Sequence, residues 1–244
     1  MAVLGLDTST RATAVGLLLA DGRLPQARDD PRGQERPGHA TRLLPLAHSL
    51  LAEANLAWGD IERIAVGVGP GTFTGLRIGV ATARGLAQSL GVELVGVSSL
   101  RALAYAAEHS RSEVLDGGGE DAGIGVLSVI DARRGEVFAA AYYANRELIA
   151  PAPLPPSALA GLHERAHSLQ GSPTWTALGD GAVLCRNELE EAGVLVPHDD
   201  SPLHRVDCLA ICELGLSGGS TDTQVLPDYR RRPDAEIALQ GVPR

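Results

Sequence analysis

The chain has 244 residues, with 30 acidic against 21 basic side chains and a formal net charge of -9. Every basic residue is arginine, and the absence of lysine excludes a Schiff-base enzyme, a lysine general base and a P-loop with its G-K-[ST] lysine. The acidic balance argues against unaided gripping of a phosphate backbone, although arginine can still read a phosphate or carboxylate bidentately at a local site.

Hydrophobic residues make up 44% of the chain and aromatics 3%, so the core is expected to be built from Leu, Val, Ile and Ala. Three unframed cysteines, Cys185, Cys208 and Cys212, suit a reducing cytosol. No run approaches the ~18 uncharged apolar residues of a membrane span. Met1 leads straight into an apolar run without a basic leader or cleavage site. A cytoplasmic protein is expected.

In chain order, residues 3–6 and 12–19 read as a β-hairpin, followed by a turn at Asp21-Gly22. The polar stretch 28–38 reads as a loop. Leu43, Leu46, Leu50, Leu51 and Ala54 recur at helical spacing within 39–56. A short buried strand at 64–68 runs into a glycine-rich loop and a helix through residue 90. A strand at 94–97 precedes a helix to about residue 109, with Ser98 or Ser99 as its cap. Residues 110–123, with Gly117-Gly118-Gly119 among acids, read as a flexible connection. Strands at 124–130 and 136–143 flank the turn Asp131-Ala132-Arg133-Arg134-Gly135. Pro151, Pro153, Pro155 and Pro156 lead to a helix at 157–169. A strand at 175–178, the turn Gly179-Asp180-Gly181, a helix at 182–192 and a last helix at 206–216 follow. An irregular Arg-rich tail begins at Pro227. The order β-β-α-β-α-β-α followed by β-β-α-β-α points to a duplicated α/β domain.

The loop Gly69-Pro70-Gly71-Thr72-Phe73-Thr74-Gly75 places glycines and threonines where free amides open a helix. Unsatisfied N–H groups and the positive end of the dipole favour an anion there, which makes Gly69, Gly71, Thr72 and Thr74 candidate anion- or nucleotide-proximal residues. The spacing is neither that of a P-loop nor that of a dinucleotide fingerprint. The same glycines equally serve a tight turn and close packing. Gly75, Gly79, Ala83 and Ala87 lie four apart, a small-residue line that admits a close neighbour, from inside the fold or from a partner. Arg77 and Arg84 share another flank.

Two further patterns carry chemistry. His163-Glu164-Arg165-Ala166-His167 matches H-E-x-x-H, which would put two zinc ligands one helical turn apart with a glutamate base, and Glu188 follows at a spacing open to a third ligand. Against this, Leu159, Leu162, Ala166 and Leu169 form the expected buried stripe of that helix and leave both histidines at its edge. His204, Cys208 and Cys212 also fall four apart. One helix supplies only adjacent ligands, so buried cysteines are the simpler reading.

The stretch 69–79, extended through Val80-Ala81-Thr82-Ala83-Arg84-Gly85-Leu86-Ala87, resembles the hallmark of the TsaB (YeaZ-like) family, bacterial proteins needed to make threonylcarbamoyladenosine in tRNA. Leu6-Asp7-Thr8-Ser9-Thr10, His39 with Leu43-Leu44-Pro45, and Gly96-Val97-Ser98-Ser99-Leu100 fit the same family in order. So do Asp131-Ala132-Arg133 with Glu136-Val137-Phe138, Gly179-Asp180-Gly181 and Pro227-Asp228-Tyr229-Arg230. The resemblance covers most of the chain and is most specific in its first ~100 residues.

This resemblance implies the actin-like ATPase (ASKHA) fold of two related α/β lobes. The N-terminal lobe would hold residues 1–108 plus about 203–225, the C-terminal lobe 109–202, with an irregular tail at 226–244. It implies a non-catalytic scaffold that heterodimerises with a TsaD-type transferase, works with a TsaE-type ATPase and meets tRNA only through the complex. Alone it would form a homodimer. ATP and metal would belong to the partner subunits, with no cofactor on this chain. The partner face is expected on two helices, with His39, Arg42, Leu43, Leu46 and Leu50 from the first. Gly75, Arg77, Ile78, Gly79, Thr82 and Ala83 come from the second.

TsaD carries an H-x-x-x-H metal site after the strand matching 94–97. The equivalent stretch here, Ser98-Ser99-Leu100-Arg101-Ala102-Leu103, replaces imidazoles with hydroxyls and aliphatics. The first phosphate loop of the fold usually reads D-x-G-[ST]. Asp7-Thr8-Ser9-Thr10 keeps the aspartate but puts Ser9 where glycine would let a β-phosphate approach. Asp7, Thr8 and Ser9 are thus nucleotide-proximal candidates, with Asp7 equally suited to capping its own turn. The alternatives are a sugar-kinase-like or ATP-hydrolysing enzyme of the same fold, and a zinc metalloprotease through His163, Glu164 and His167.

Overall fold

Buried along its whole length, β1 (Val3–Asp7) lies in the middle of a five-stranded sheet. In the computed structural model, which describes residues 1–33, 35–110, 124–171, 174–217 and 225–230, its neighbours are β2 (Thr13–Leu18) and β4 (Arg63–Gly69). β3 (Gln26–Asp29) and β5 (Glu93–Ser98) complete the order β3-β2-β1-β4-β5. The first three strands form an antiparallel meander, and β4 and β5 add in parallel. The second sheet repeats the plan. β6 (Gly125–Arg133), β7 (Glu136–Tyr143) and β8 (Arg146–Leu154) make a meander, and β9 (Trp175–Leu178) joins β6 in parallel, in the order β8-β7-β6-β9.

Helices fill three layers around the sheets. α1 (His39–Glu53) and α2 (Phe73–Leu90) cover one face of the first sheet with Leu43, Ala47, Leu50, Val80 and Ala83. α3 (Ser99–His109) and α7 (Cys208–Ser217) lie between the sheets, where Leu100, Leu103, Ile211 and Cys212 meet Val3, Val95, Ile130 and Tyr142. α4 (Leu159–Gln170), α5 (Asp180–Leu184) and α6 (Arg186–Glu191) pack on the far face of the second sheet. The aliphatic core expected from composition is present, with few aromatic contributors. α7 comes close because Gly5 and Gly16 pair across β1 and β2. A Cβ on Gly5 would stand 2.6 Å from Cys212 Sγ, and one on Gly16 would stand 3.0 Å from Cys208 Cβ.

Sequence and structure differ at the sheet edges. β3 occupies part of the expected 28–38 loop, and β8 runs through Pro151 and Pro153. An edge strand tolerates proline because only one of its sides is paired. The expected helix at 182–192 is broken at Cys185 into α5 and α6. α1 continues through Pro45 and stops at Glu53, before Asn55 adopts φ 57°. The glycine-rich connection expected at 110–123 lies, apart from Ser110, outside the described residues. Among the described residues, no helix is long and apolar enough to cross a membrane.

Candidate functional site

The turn after β1 is closed by its own side chains. Asp7, Thr8 and Ser9 are all buried. Asp7 Oδ1 accepts hydrogen bonds from the Ser9 backbone N–H (2.9 Å) and hydroxyl (2.8 Å), and Oδ2 accepts from the Ser99 hydroxyl (3.1 Å). Burial pushes the Asp7 carboxyl up from its usual range, with these bonds opposing the shift. Asp7 therefore anchors the turn and α3 together. Ser98 accepts from the Arg101 N–H as the cap of α3, so both hydroxyls of the stretch aligned with the TsaD metal site serve the fold.

The glycine-rich loop seats on this turn. Thr72 N–H donates to the Ser9 carbonyl (2.7 Å), and the Thr8 hydroxyl donates to the Gly75 carbonyl (2.7 Å). A Cβ on Gly71 would overlap the Ser9 carbonyl, one on Gly75 the Thr8 carbonyl, and one on Gly79 the Thr8 hydroxyl. The close neighbour of the small-residue line is thus the β1–β2 turn. This corrects the expectation that Gly75, Gly79 and Ala83 line the partner face, since all three are buried inside the first lobe. His39, Leu43 and Leu50 are corrected likewise, being at most 4% exposed, the two leucines in the core beneath α1. Arg42 and Arg77 are exposed, and Leu46, Ile78 and Thr82 are half-buried, so these five reach the surface of the two neighbouring helices.

Arg77 is held by a cluster to which the sequence gave no role. Its guanidinium lies 3.8 Å from the centroid of the Phe73 ring, and its Nε–H donates to the Tyr229 hydroxyl (3.1 Å). The Phe73 and Tyr229 rings stand 5.2 Å apart. The segment carrying Tyr229 is tied to both sheets: Asp228 N–H donates to the Val68 carbonyl (2.8 Å), and Arg230 Nη1 donates to the Pro151 carbonyl (3.2 Å).

A cleft of about 630 Å³ opens beside the closed turn. Its walls are the first turn of α1 (His39, Thr41), that of α2 (Thr72, Thr74), and Arg36 and Arg133. Arg133 comes from the β6–β7 turn, where Arg133, Arg134 and Gly135 adopt φ values of 67°, 56° and 75° in succession. Non-glycine residues in that region cost on the order of 1 kcal/mol each. Arg133 pairs with Asp131 at 2.8 Å. His39 Nδ1 lies 2.9 Å from the Thr13 hydroxyl, and burial lowers its pKa against a weaker opposing effect of Asp29. The ring is therefore neutral near pH 7. Thr72 and Thr74 were expected near an anion and do line this cleft; Gly69 and Gly71 are not among its walls. Sequence reasoning missed Arg36 and Arg133 because only the three-dimensional turn brings Arg133 opposite α1.

Behind Arg133, Asp180 Oδ1 accepts the Asp131 N–H (3.0 Å). Burial raises the Asp180 carboxyl to about 6, with that bond opposing. Gly179, at φ 111°, and Gly181 let the turn press on the backbone of β6.

The H-E-x-x-H helix is α4. His163 is half-buried, its ring 6.0 Å from the Trp175 ring and 6.0 Å from the His167 ring, and burial lowers its pKa. Leu159, Leu162 and Ala166 form the buried stripe, but Leu169 is exposed in the last turn, just ahead of the left-handed Gly171 cap. Among the described residues, no three His, Cys, Asp or Glu side chains come together as metal ligands. His204 sits in a separate turn with Nε2 3.1 Å from the Pro197 carbonyl, off the helix that carries Cys208 and Cys212. Burial pushes both thiols far up from their usual range.

Two sheets of one strand plan sharing a helical layer define the actin-like ATPase class. The ROK hexokinase from Thermus thermophilus shares this fold, with a TM-score of 0.53 at 13% identity over 88% of this chain and 99% of that one. YeaZ from Pseudomonas aeruginosa superposes with a TM-score of 0.64 at 30% identity, covering 88% of this chain and 90% of that one. The tRNA threonylcarbamoyladenosine biosynthesis protein TsaB of Escherichia coli is 34% identical over 99% of both chains. The family model for TsaD, tRNA N6-adenosine threonylcarbamoyltransferase, matches residues 34–163. The chain belongs to the TsaB (YeaZ-like) family.

Proposed function

We propose that this chain is a non-catalytic scaffold that activates a TsaD-type transferase by heterodimerisation, in the threonylcarbamoylation of adenosine in tRNA. The observation that carries this reading is the self-filled β1–β2 turn. A phosphate-handling turn needs open backbone amides and a glycine for close approach. Here Ser9 takes the glycine's place, its hydroxyl is spent on Asp7, and Gly71, Gly75 and Gly79 are spent on packing. The imidazoles that would hold a metal in TsaD are replaced by Ser98, which caps a helix, and Ser99, which bonds Asp7.

The partner surface in this reading is the outer side of α1 and α2, with Arg42, Leu46, Arg77, Ile78 and Thr82. The same surface serves a homodimer when the chain is alone. ATP and metal belong to the partner subunits, a TsaE-type ATPase among them, and tRNA is met through the complex in the cytoplasm. A net charge of -9 agrees with leaving the RNA grip to other subunits. Reconstitution tests this. TsaD-, TsaE- and TsaC-type proteins with tRNA, ATP, threonine and bicarbonate should yield modified adenosine only when this chain is added; equal yield without it overturns the reading.

A further inference from the structure

We propose that the cleft between α1, α2 and the β6–β7 turn binds a small phosphate-bearing ligand, held by Arg36, His39, Thr72, Thr74 and Arg133. Both helices aim their N-termini at this cleft. Neither has a side-chain cap, and neither carries an acid in its first turn. The first amides of a helix have no intrahelical partner, and together with the dipole they favour an anion. Two such ends converging without capping leave several donors for something else to satisfy.

The second, independent sign is His39. The residue is 4% exposed, Nδ1 is taken by Thr13, and Nε2 has no hydrogen-bond partner among the described residues while the ring lines the cleft. A buried polar atom left without a partner costs free energy that a ligand recovers. With Thr13 O–H donating to Nδ1, Nε2–H becomes a donor facing the cleft, as a phosphate oxygen requires. Arg36 is exposed and has no ion-pair partner among the described residues. Arg133 reaches in from the second lobe and keeps Asp131 as its own counter-charge. Pro37, Ala40 and Ile78 give the remaining wall an apolar character suited to the body of a monoester. The site stands beside the phosphate turn of the fold rather than in it, because that turn is filled by Asp7, Ser9 and the glycines. The proposal is independent of the scaffold reading, and its test uses the chain alone.

Titration of the full-length chain with AMP, inorganic phosphate and adenosine, followed by NMR, tests it. AMP is expected to shift the His39 ring resonances and the first-turn amides of α1 and α2. Inorganic phosphate should shift the same signals more weakly, and adenosine should leave them in place. Arg36→Gln and Arg133→Gln should each weaken AMP binding roughly tenfold, as expected for a lost charged hydrogen bond. Arg165→Gln, on α4, should leave it unchanged. Thermal unfolding of each variant checks that the fold is kept, and Arg36→Gln, at an exposed position, supports the test if Arg133→Gln disturbs its turn. The proposal fails if AMP and phosphate shift none of these signals up to ~10 mM, far weaker than a metabolite site. It also fails if adenosine binds as well as AMP, or if Arg36→Gln leaves the affinity intact.

Discussion

The Thr8 side-chain oxygen occupies the space that a side chain on Gly79 would need, and its hydroxyl is bonded to the Gly75 carbonyl one turn earlier in the same helix. Gly79→Ala should therefore destabilise by about 1–2 kcal/mol through overpacking, although alanine is the better helix former. In a Thr8→Ala background the obstacle is gone, and Gly79→Ala should become neutral or stabilising. Urea unfolding of the two single variants and the double variant measures the coupling. Additive effects would show that Thr8 is not the obstacle. Gly75→Ala meets the Thr8 backbone carbonyl, which cannot rotate away, and should cost more than Gly79→Ala in either background.

Asp180 sets a pH dependence whose sign is opposite to that of an ordinary surface carboxylate. Its folded value of about 6 lies above the model value of 3.8. Between these, the folded state binds more protons than the unfolded one, so this group's contribution is fully present at low pH and is lost as pH rises through about 6. Asp180→Asn keeps an acceptor for the Asp131 N–H and removes the titration. Unfolding free energy measured from pH 4 to 7 should fall with pH more steeply in the native chain than in Asp180→Asn, by on the order of 2–3 kcal/mol across the window. Parallel profiles would contradict this. Asp7 shifts in the same direction and contributes equally to both proteins.

The partner surface separates from the core beneath it by one helical turn. Leu43 is sealed in the first-lobe core, whereas Arg42 beside it is exposed. Leu43→Ala should cost roughly 2–5 kcal/mol of stability. Arg42→Glu and Thr82→Arg should leave the melting temperature nearly unchanged and weaken association with a TsaD-type partner by at least about tenfold each, as central interface residues do. Wild-type affinity in both surface variants would move the interface elsewhere.

The two-lobe α/β plan was legible because hydrophobic periodicity and turn residues repeat in the same order in both halves. β3 and β8 were missed for a physical reason: edge strands are half-solvated and tolerate Pro151 and Pro153, so they carry neither an apolar run nor a clean alternation. The small-residue line on α2 was legible as a close contact, but period alone cannot say whether Thr8 or a foreign helix fills it. Arg36 and Arg133 lie 97 positions apart, and only the left-handed turn at Arg133, Arg134 and Gly135 brings them to one cleft. Local pattern holds no trace of that meeting.

The clasp of Tyr229 on Arg77 and Phe73 is the remaining contact with a measurable consequence. It joins an irregular segment to α2 through one hydrogen bond, one ring contact and a cation over an aromatic face, all partly exposed to water. Such contacts are worth about 1 kcal/mol or less each at the surface. The segment is also held by Asp228 N–H on Val68 and by Arg230 on Pro151. Tyr229→Ala should therefore change global stability by about 1 kcal/mol or less. Local opening of the segment should still become easier, so the Asp228 amide should exchange with deuterium several-fold faster, while amides of β1 and β4 keep their protection. Tyr229→Phe, which keeps the ring and loses only the hydroxyl, should fall between the two. If Asp228 exchanges at the native rate in Tyr229→Ala, the segment is held by its backbone bonds alone and the clasp is incidental. If the β1 and β4 amides accelerate together with Asp228, the segment belongs to the global cooperative unit and does not open separately.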